Sequence, residues 1–281
     1  MCRRDGIILI LLGTLCVGHV CGADGAASSK AEAGNKGGSE NTELYFKITA
    51  EGQPVGSRHI KSTKTDKGIV IEDKLTLKYR DKMASFRSTV SYTLGEKPEP
   101  IHAEASTFIG DKKLMEGTLD FAIRKGEDGQ PQRMMQIKVT GFFSKRLEEY
   151  SPPKEASSEM ACPEGWPMFM SAMFCLVPQM EPKDGMLTDV VSMEFPDDLD
   201  FPELLNAKKG YAVKWIKGED GTRTILMGPR AKVEDSSTEY ARLVLDADGK
   251  IKEYRMEELV LQPCSKEEAL KAATPQAPRQ D

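Results

Sequence analysis

The sequence predicts a mainly β protein: a curved antiparallel sheet or incomplete β-barrel, with one buried apolar helix and a short C-terminal helix. Long stretches alternate apolar and polar side chains, and Asp-Gly turns separate many of them. A short, Met-rich run interrupts this pattern and is apolar on all sides. Alternation with a period of two is typical of antiparallel strands that have one solvated face.

The alternating stretches form two blocks, at 43–142 and 187–262, within a single β-rich domain expected at 43–273. β-branched and aromatic residues are frequent in both blocks, as strands favour. Applied along the chain, this template predicts about eleven strands. The stretches that show the alternation best contain Leu75, Leu77 and Tyr79; Phe86, Val90, Tyr92 and Leu94; Leu119, Phe121 and Ile123; and Tyr211, Val213 and Trp215.

Turn residues mark the ends of the predicted strands. The tetrapeptide GEDG occurs at 126–129 and at 218–221, and DADG occurs at 246–249. Asp-Gly pairs supply the positive φ angles that tight hairpins require. DADG also resembles the start of a calcium loop, but no Glu stands at the closing position, so a hairpin turn is predicted.

The apolar run CPEGWPMFMSAMFCLVP (162–178) is predicted to form a helix over 166–177, after a polar linker. Pro167 suits a first helical turn and Pro178 ends the helix. The helix is too short to cross a membrane and should be buried against the sheet. Its bulky residues are the candidate hydrophobic groove or core: Trp166, Met168, Phe169, Met170, Met173 and Phe174.

Two interpretations of these methionines and aromatics remain open. They could fill an irregular core between the helix and the curved sheet, which is the favoured interpretation. They could instead form an adaptable wall for a lipid or acyl chain, because methionine is flexible and polarizable.

The second helix is predicted at 265–273, where Ser265 followed by Glu268 forms a capping box. The polar, Gly-rich segment 24–42 is predicted to be a flexible tether, and 274–281 a disordered tail. Neither segment holds enough apolar surface to offset the entropy of ordering it.

Residues 1–23 are predicted to be a signal peptide. Arg3 and Arg4 precede an apolar stretch at 6–18, and small residues stand before a cut at Asp24. The mature chain is therefore expected in the periplasm or outside the cell, without a transmembrane span. An uncleaved anchor and a lipid anchor at Cys21 are the less favoured alternatives.

Export permits a disulfide in the mature chain. Three cysteines remain after removal of the signal peptide: Cys162, Cys175 and Cys264. An odd number leaves one thiol unpaired within the chain, and the sequence leaves all pairings open. Because Cys175 lies in the middle of the apolar run, it is interpreted as a small buried hydrophobe.

Three segments together resemble a group of exported bacterial proteins of unknown function. LYFKITAEGQPVGSRHIKST (44–63) resembles the hairpin that opens their long β-meander, with Val55 and Gly56 starting the second strand. KDGMLTDVVSMEF (183–195) resembles their return to a second β block, and LVLDADGKIKEYRMEELVLQPCSKEEALKAA (243–273) their closing hairpin and helix. The resemblance implies a half-barrel with a helix against its concave side, a shape like that of lipoprotein carriers, and implies no activity.

Recognisable catalytic and cofactor motifs are absent from the sequence. His59 and His102 are expected to bind no metal, because further ligands at suitable spacing do not accompany them. His102 and Glu104 should share one face of a strand as surface residues. The acidic stretch 194–205 is broken by two prolines and is interpreted as a solvated loop. No catalytic residue, cofactor or metal is therefore predicted.

The net charge of -5 and the mixed sign of the charged residues argue against a nucleic-acid partner. The expected function is a non-enzymatic exported binding or assembly module of the cell envelope, with a hydrophobic ligand held in a half-barrel. The expected partners are a lipid or another envelope protein. The alternatives are a structural scaffold of the envelope and an enzyme whose site the sequence hides.

Overall fold

A computed structural model gives the structure of the chain. It describes residues 41–79, 82–95, 98–125, 131–141, 145–150, 167–168, 170–176, 178, 184–192, 211–235, 241–256 and 258–274. The predicted signal peptide, most of the predicted tether, the linker before the apolar run and the acidic stretch 194–205 lie outside these residues.

The described strands form a fifteen-stranded sheet in the order β8-β7-β6-β5-β4-β3-β2-β1-β15-β14-β13-β12-β11-β10-β9. Neighbouring strands are antiparallel except for β9 and β10. Because β8 and β9 stand at opposite ends of this order, the described sheet is not closed into a barrel. The bounds are β1 Asn41–Ala50, β2 Gln53–Thr65, β3 Gly68–Tyr79, β4 Lys82–Tyr92, β5 Pro100–Ile109, β6 Lys112–Lys125, β7 Pro131–Gly141, β8 Lys145–Tyr150, β9 Pro167–Met168, β10 Leu187–Ser192, β11 Tyr211–Lys217, β12 Arg223–Pro229, β13 Ala241–Leu245, β14 Ile251–Met256 and β15 Leu259–Pro263.

Two blocks of strands meet at one seam. The first block is β1–β8, the second is β10–β15, and the first and last strands pair antiparallel with Ile48 opposite Leu261. Within each block, consecutive strands pair as a meander. The pairing of β1 with β15 joins residues that lie far apart in the sequence, so no local hairpin signal predicts it.

One face of the sheet, here called the inner face, carries the main core. Side chains alternate along each strand: Phe46 and Ile48 of β1 are buried, and so are Leu75 and Leu77 of β3. Val90 of β4 shares this core with strands of the second block. The described sheet curves around its inner face, and side chains from both blocks therefore meet in one core. From the second block the core receives Val213, Trp215, Ile225, Met227, Ala241, Leu243, Leu245, Tyr254, Leu259 and Leu261.

Within the described ranges, three helices pack on the sheet: α1 (Met170–Cys175), α2 (Arg230–Asp235) and α3 (Lys266–Ala272). Helix α1 contacts β2 and β3, and its residues Phe174 and Cys175 join the inner-face core. Helix α2 covers the opposite, outer face, where Val233 packs with Ala212 and Leu226. Helix α3 packs against β1 and β2.

The sequence predicted several local features correctly. Ser265 caps α3, because its side chain accepts a hydrogen bond from the Glu268 N–H at 3.2 Å and its own N–H donates to Glu268 Oε2 at 2.9 Å. DADG forms the β13–β14 turn, with Gly249 N–H donating to the Asp246 carbonyl at 3.0 Å. Gly221 likewise takes a positive φ in the β11–β12 turn.

Other expectations need correction. The helix predicted over 166–177 is shorter, because Pro167 and Met168 pair with β10 as an extended strand and, of the residues described in this stretch, Met170–Cys175 is helical. The predicted tether 24–42 ends earlier, since Asn41 and Thr42 pair with β2. The described residues form fifteen strands rather than about eleven: β8 and β9 lie outside the two predicted blocks, and the blocks themselves hold thirteen strands. Leu94 is 43% exposed because β4 ends at Tyr92.

Candidate functional site

The residues predicted to form a hydrophobic groove or core lie at and before α1. Trp166 and Phe169 fall outside the described residues. The backbones of Met168, Met170 and Met173 are described, in β9 and α1, but not their side chains. Phe174 is 2% exposed and is the member of this set whose surroundings the structure gives.

Phe174 fixes α1 to the centre of the inner face. Its ring centroid lies 5.0 Å from that of Phe46 in β1 and 5.2 Å from that of Tyr254 in β14, at tilted and edge-on angles. Aromatic pairs favour such arrangements. The helix therefore sits over the seam between the two blocks, with a charged group beneath it: the Arg58 guanidinium carbon lies 4.9 Å from the Phe174 ring centroid.

A buried ion pair lies on the inner face under α1. Arg58 in β2 donates from Nε to both carboxylate oxygens of Asp73 in β3, at 3.0 Å and 3.2 Å. Each residue is 3% exposed. The pair is diagonal across the two strands, because Arg58 lies opposite Leu75 and Asp73 lies opposite Ile60. Such a pair must overcome the cost of removing two charges from water, so it is weak evidence for a stabilising role.

The strands beside this ion pair contribute small side chains to the inner face. Across the sheet, Asp73 lies opposite Ser88, Ser88 opposite Ala105, and Ala105 opposite Gly117. The next row on the same face holds larger apolar residues, among them Ile71 and Leu119. The side chains of the row that starts at Asp73 therefore have a smaller total volume than those of the row that contains Ile71 and Leu119.

Cys175 of α1 lies near the ion pair and is not an activated thiol. Burial, and after it the Asp73 carboxylate, raise its pKa to about 12, and Arg58 opposes this only in part. Thiolates, rather than thiols, are the nucleophilic form. The interpretation of Cys175 as a small buried hydrophobe agrees with this environment.

Several neutral polar groups of the inner-face core and of α1 are buried without a hydrogen-bond partner among the residues that the structure describes. They are the hydroxyls of Tyr92 and Ser171 and the indole N–H of Trp215. Tyr92 and Trp215 belong to the same core as Phe174, and Ser171 stands one helical turn before it. Burial raises the pKa of Tyr92, and Cys175 adds to the shift, so the phenol stays protonated. Buried groups of this kind normally have partners, so each needs an explanation.

The outer face holds both histidines of the predicted mature chain. His102 of β5 lies between two carboxylates, with Nδ1 2.6 Å from Asp120 Oδ1 and Nε2 2.9 Å from Glu104 Oε1. His59 of β2 has Nε2 2.8 Å from Glu43 Oε1. Within the described ranges, no group of three or more His, Cys, Asp or Glu residues is arranged to hold a metal ion.

The sequence contained part of the signal for the buried ion pair. Arg58 has the same strand parity as Ile60, and Asp73 has the same parity as Ile71 and Leu75. Parity therefore places both charges on the apolar face. It gives no register between β2 and β3, and without the register the two charges cannot be paired.

No helix in the described part of the chain combines the length and apolar character needed to cross a membrane. No protein-family model, curated protein or solved structure matches the chain.

Proposed function

We propose that the protein is a non-enzymatic, exported binding module of the cell envelope that takes up an acyl chain on the inner face of its sheet, where α1 now packs. The observation that carries this proposal is the buried Arg58–Asp73 pair beneath α1, together with the Tyr92 hydroxyl of the same face, which is buried without a hydrogen-bond partner among the described residues. The proposed location rests on the pattern of residues 1–23.

The ion pair supports a binding role because the fold gains little from it. Apolar residues of similar size at two buried positions often give equal or greater stability than a salt bridge. The surrounding positions of the inner face are apolar, including Phe46, Ile60 and Leu75. A polar centre inside an apolar surface matches an amphipathic ligand, whose chain and polar group need different surroundings.

Helix α1 is suited to leave this site. It has six residues, which is far below the length at which a helix is stable alone. It is held by side-chain contacts such as those of Phe174 with Phe46 and Tyr254. An acyl chain can replace apolar contacts of this kind because they are not directional.

A test uses Cys175 as a reporter of α1. In a full-length chain whose other cysteines are replaced by serine, Cys175 should react slowly with a thiol reagent, because it is buried and its pKa is raised. We expect pyrenedecanoic acid or its glycerol monoester to bind with a rise in pyrene fluorescence. At saturation, Cys175 should react several-fold faster because α1 has left the core.

A substitution in α1 gives a second measurement. If the helix and the ligand compete for one site, Phe174→Leu weakens the helix and raises the apparent affinity for the probe. Val233→Ala, in the core under α2 on the outer face, is the matched control and leaves the affinity unchanged. Weaker binding by Phe174→Leu, with folding retained, would mean that α1 lines the site and does not compete for it. Binding of neither probe would overturn the proposed function.

An assembly role is the second candidate, because β8 ends the described order with pairing to β7 alone. The free edge of a strand can accept a strand from another protein. A defined oligomer in native mass spectrometry, with no bound lipid and no probe binding, would favour this function over lipid uptake.

A further inference from the structure

Two positive side chains lie directly opposite each other on the outer face of the first block. Lys74 of β3 is in register with Arg87 of β4, and both residues are exposed. Like charges at opposite positions of an antiparallel pair destabilise a sheet. Within the described part of the chain, neither cation forms an ion pair with a carboxylate. The fold therefore keeps two uncompensated charges at a pair of positions where one acidic residue would stabilise it.

Carboxylates of the same face have other partners. Glu72 Oε2 in β3 lies 3.5 Å from Lys61 Nζ of β2, directly across the strand pair. Glu116 Oε2 in β6 lies 2.8 Å from Lys113 Nζ. The carboxylates within hydrogen-bond distance of the two histidines are Glu43, Glu104 and Asp120. These contacts leave the two opposed cations available to a negative group outside the chain.

Two hydroxyl residues complete what is here called the cationic patch: Lys74, Thr76, Ser85 and Arg87. Thr76 lies opposite Ser85, one pair along from the two cations on the same face. The Arg87 guanidinium carbon lies 5.1 Å from the ring centroid of Phe108 in β5, a cation–π contact that holds the group in place. Guanidinium, ammonium and hydroxyl groups all donate hydrogen bonds to phosphate oxygens. The patch therefore matches the phosphate groups of a ligand.

The exposure of the patch favours a charged surface over a single small anion. At exposed cations one ion pair adds little, because water and salt compete for it. A membrane of anionic phospholipids presents many phosphates side by side, so that several weak contacts act together. The outer face is the convex side of the curved sheet, which lets a planar surface reach these residues.

We propose that the cationic patch docks the protein on membranes that contain anionic phospholipids, by binding their phosphate groups. This inference goes beyond the proposed function, because it concerns the opposite face of the sheet and needs no acyl chain in the core. The chain as a whole has a net charge of -5, so the attraction must come from the local patch and not from the overall charge.

Co-sedimentation with lipid vesicles tests the docking. The probes are vesicles of phosphatidylcholine alone and vesicles with an equal part of phosphatidylglycerol, an anionic lipid. We expect the protein as purified from the cell to bind the anionic vesicles at low ionic strength, to bind phosphatidylcholine alone far less, and to be released by added salt. Equal binding to both kinds of vesicle, or binding that salt does not weaken, would overturn the proposal.

Neutralising each cation measures its contribution. Lys74→Gln and Arg87→Gln should each weaken binding to the anionic vesicles about 5-fold, and the double variant on the order of 25-fold. Lys61→Gln is the matched control, because it removes one positive charge from the same face, where Glu72 already compensates it. This variant should change binding less than about 2-fold. Equal losses in Lys61→Gln and Lys74→Gln would mean that overall charge decides the binding, and would overturn the patch.

A charge reversal separates binding from folding. Lys74→Glu places a carboxylate opposite Arg87, so it should abolish vesicle binding while the urea midpoint stays equal to or rises above that of the wild type. Retained vesicle binding in this variant would overturn the proposal. A lower midpoint would mean that Lys74 stabilises the fold, and would overturn the argument that it is kept for binding.

Competitors distinguish the membrane from other partners. Inorganic phosphate that displaces the protein from vesicles more strongly than sodium chloride of equal ionic strength would assign the patch to a soluble phosphate and overturn docking. Binding of polyglutamate in place of the anionic vesicles would assign it to an acidic protein, with the same result. If the wild type binds no vesicles while the pyrene probes still bind, docking is overturned and the proposed function stands.

Discussion

The two blocks of the sheet differ in what they bury. In the first block the buried residues include the charged pair Arg58 and Asp73, with Ser88, Ser106 and Thr107. In the second block the buried residues that the structure describes are apolar or aromatic, and the polar side-chain atoms buried there include the indole N–H of Trp215 and Nε of Arg242. The two blocks share one core, so the difference is not one of depth.

We interpret this difference as a division of roles, in which the second block mainly stabilises the fold and the first block also holds groups suited to ligand binding. Buried apolar residues such as Leu243 and Ile225 stabilise a fold without bringing in polar groups that would need partners. A buried ion pair destabilises the fold whenever a change in its geometry leaves either charge without its partner. Retaining the pair in one block, beneath α1, is the pattern expected where a ligand is bound. We therefore expect substitutions to affect the two blocks in different ways.

Breaking the ion pair should have the largest effect. Asp73→Ala leaves the Arg58 charge buried without its partner and should lower the free energy of unfolding by about 3–5 kcal/mol. The double substitution Arg58→Met, Asp73→Leu should restore stability to within roughly 1 kcal/mol of the wild type, or exceed it. Urea unfolding of the three proteins measures this. A double variant as unstable as the single one would mean that the pair is a structural element.

A core deletion in the second block should affect stability alone. Leu243 is fully buried in β13. Leu243→Ala should cost about 2–5 kcal/mol, from lost burial and the cavity left behind. Below the unfolding transition, binding of the pyrene monoester should be unchanged. A selective loss of binding in the folded protein would show that the second block also forms part of the site, and would weaken the contrast between the blocks.

Substitution of one glycine in each block compares how strongly the backbone is constrained there. A Cβ on Gly56 in β2 would lie 2.0 Å from the Thr76 carbonyl oxygen of β3, so Gly56→Ala must separate two long strands. We expect a loss of about 1–3 kcal/mol or more. Gly221, in the β11–β12 turn, has φ of +81°. Gly221→Ala should cost about 1–2 kcal/mol, mainly through backbone strain, because the added Cβ would also lie 3.3 Å from the Ala247 Cβ. Equal chemical denaturation midpoints for Gly56→Ala and the wild type would contradict the close approach of β2 and β3.

The sequence predicted local structure better than it predicted the site. Alternation placed Leu75, Val90 and Val213 on the buried face, and Asp-Gly and Ser-x-x-Glu patterns placed turns and a helix start. Those signals act within a few residues of each other. The pairing of β1 with β15 joins strands from opposite ends of the domain, and no short sequence pattern encodes it. The contact between Arg58 and Asp73 depends on the register of β2 and β3, which a short pattern also does not encode. The short strand at Pro167 was missed because its partner, β10, lies far along the chain.

The smallest expected effect is a dependence of stability on pH that arises at His102 in the first block. Burial alone would lower the pKa of His102, but the hydrogen bonds and charges of Glu104 and Asp120 outweigh it, so the pKa is raised above its usual value. The raised pKa means that protonation of the imidazole is more favourable in the folded state than in the unfolded state. Its contribution is therefore complete below the unfolded pKa of about 6.5 and is lost as the pH rises through the folded value.

Unfolding by urea at pH 6 and pH 9 measures this contribution in the wild type and in His102→Gln. We expect the wild type to be the more stable protein at pH 6, by less than about 1 kcal/mol because the group is partly exposed, and the difference to shrink at pH 9. Asp120→Asn removes one of the two carboxylates and should reduce the pH dependence while leaving the ring in place. If the difference between wild type and His102→Gln were the same at both pH values, the two carboxylates would not act on the imidazole charge. In that case the first block would differ from the second only on its inner face, where the buried pair lies.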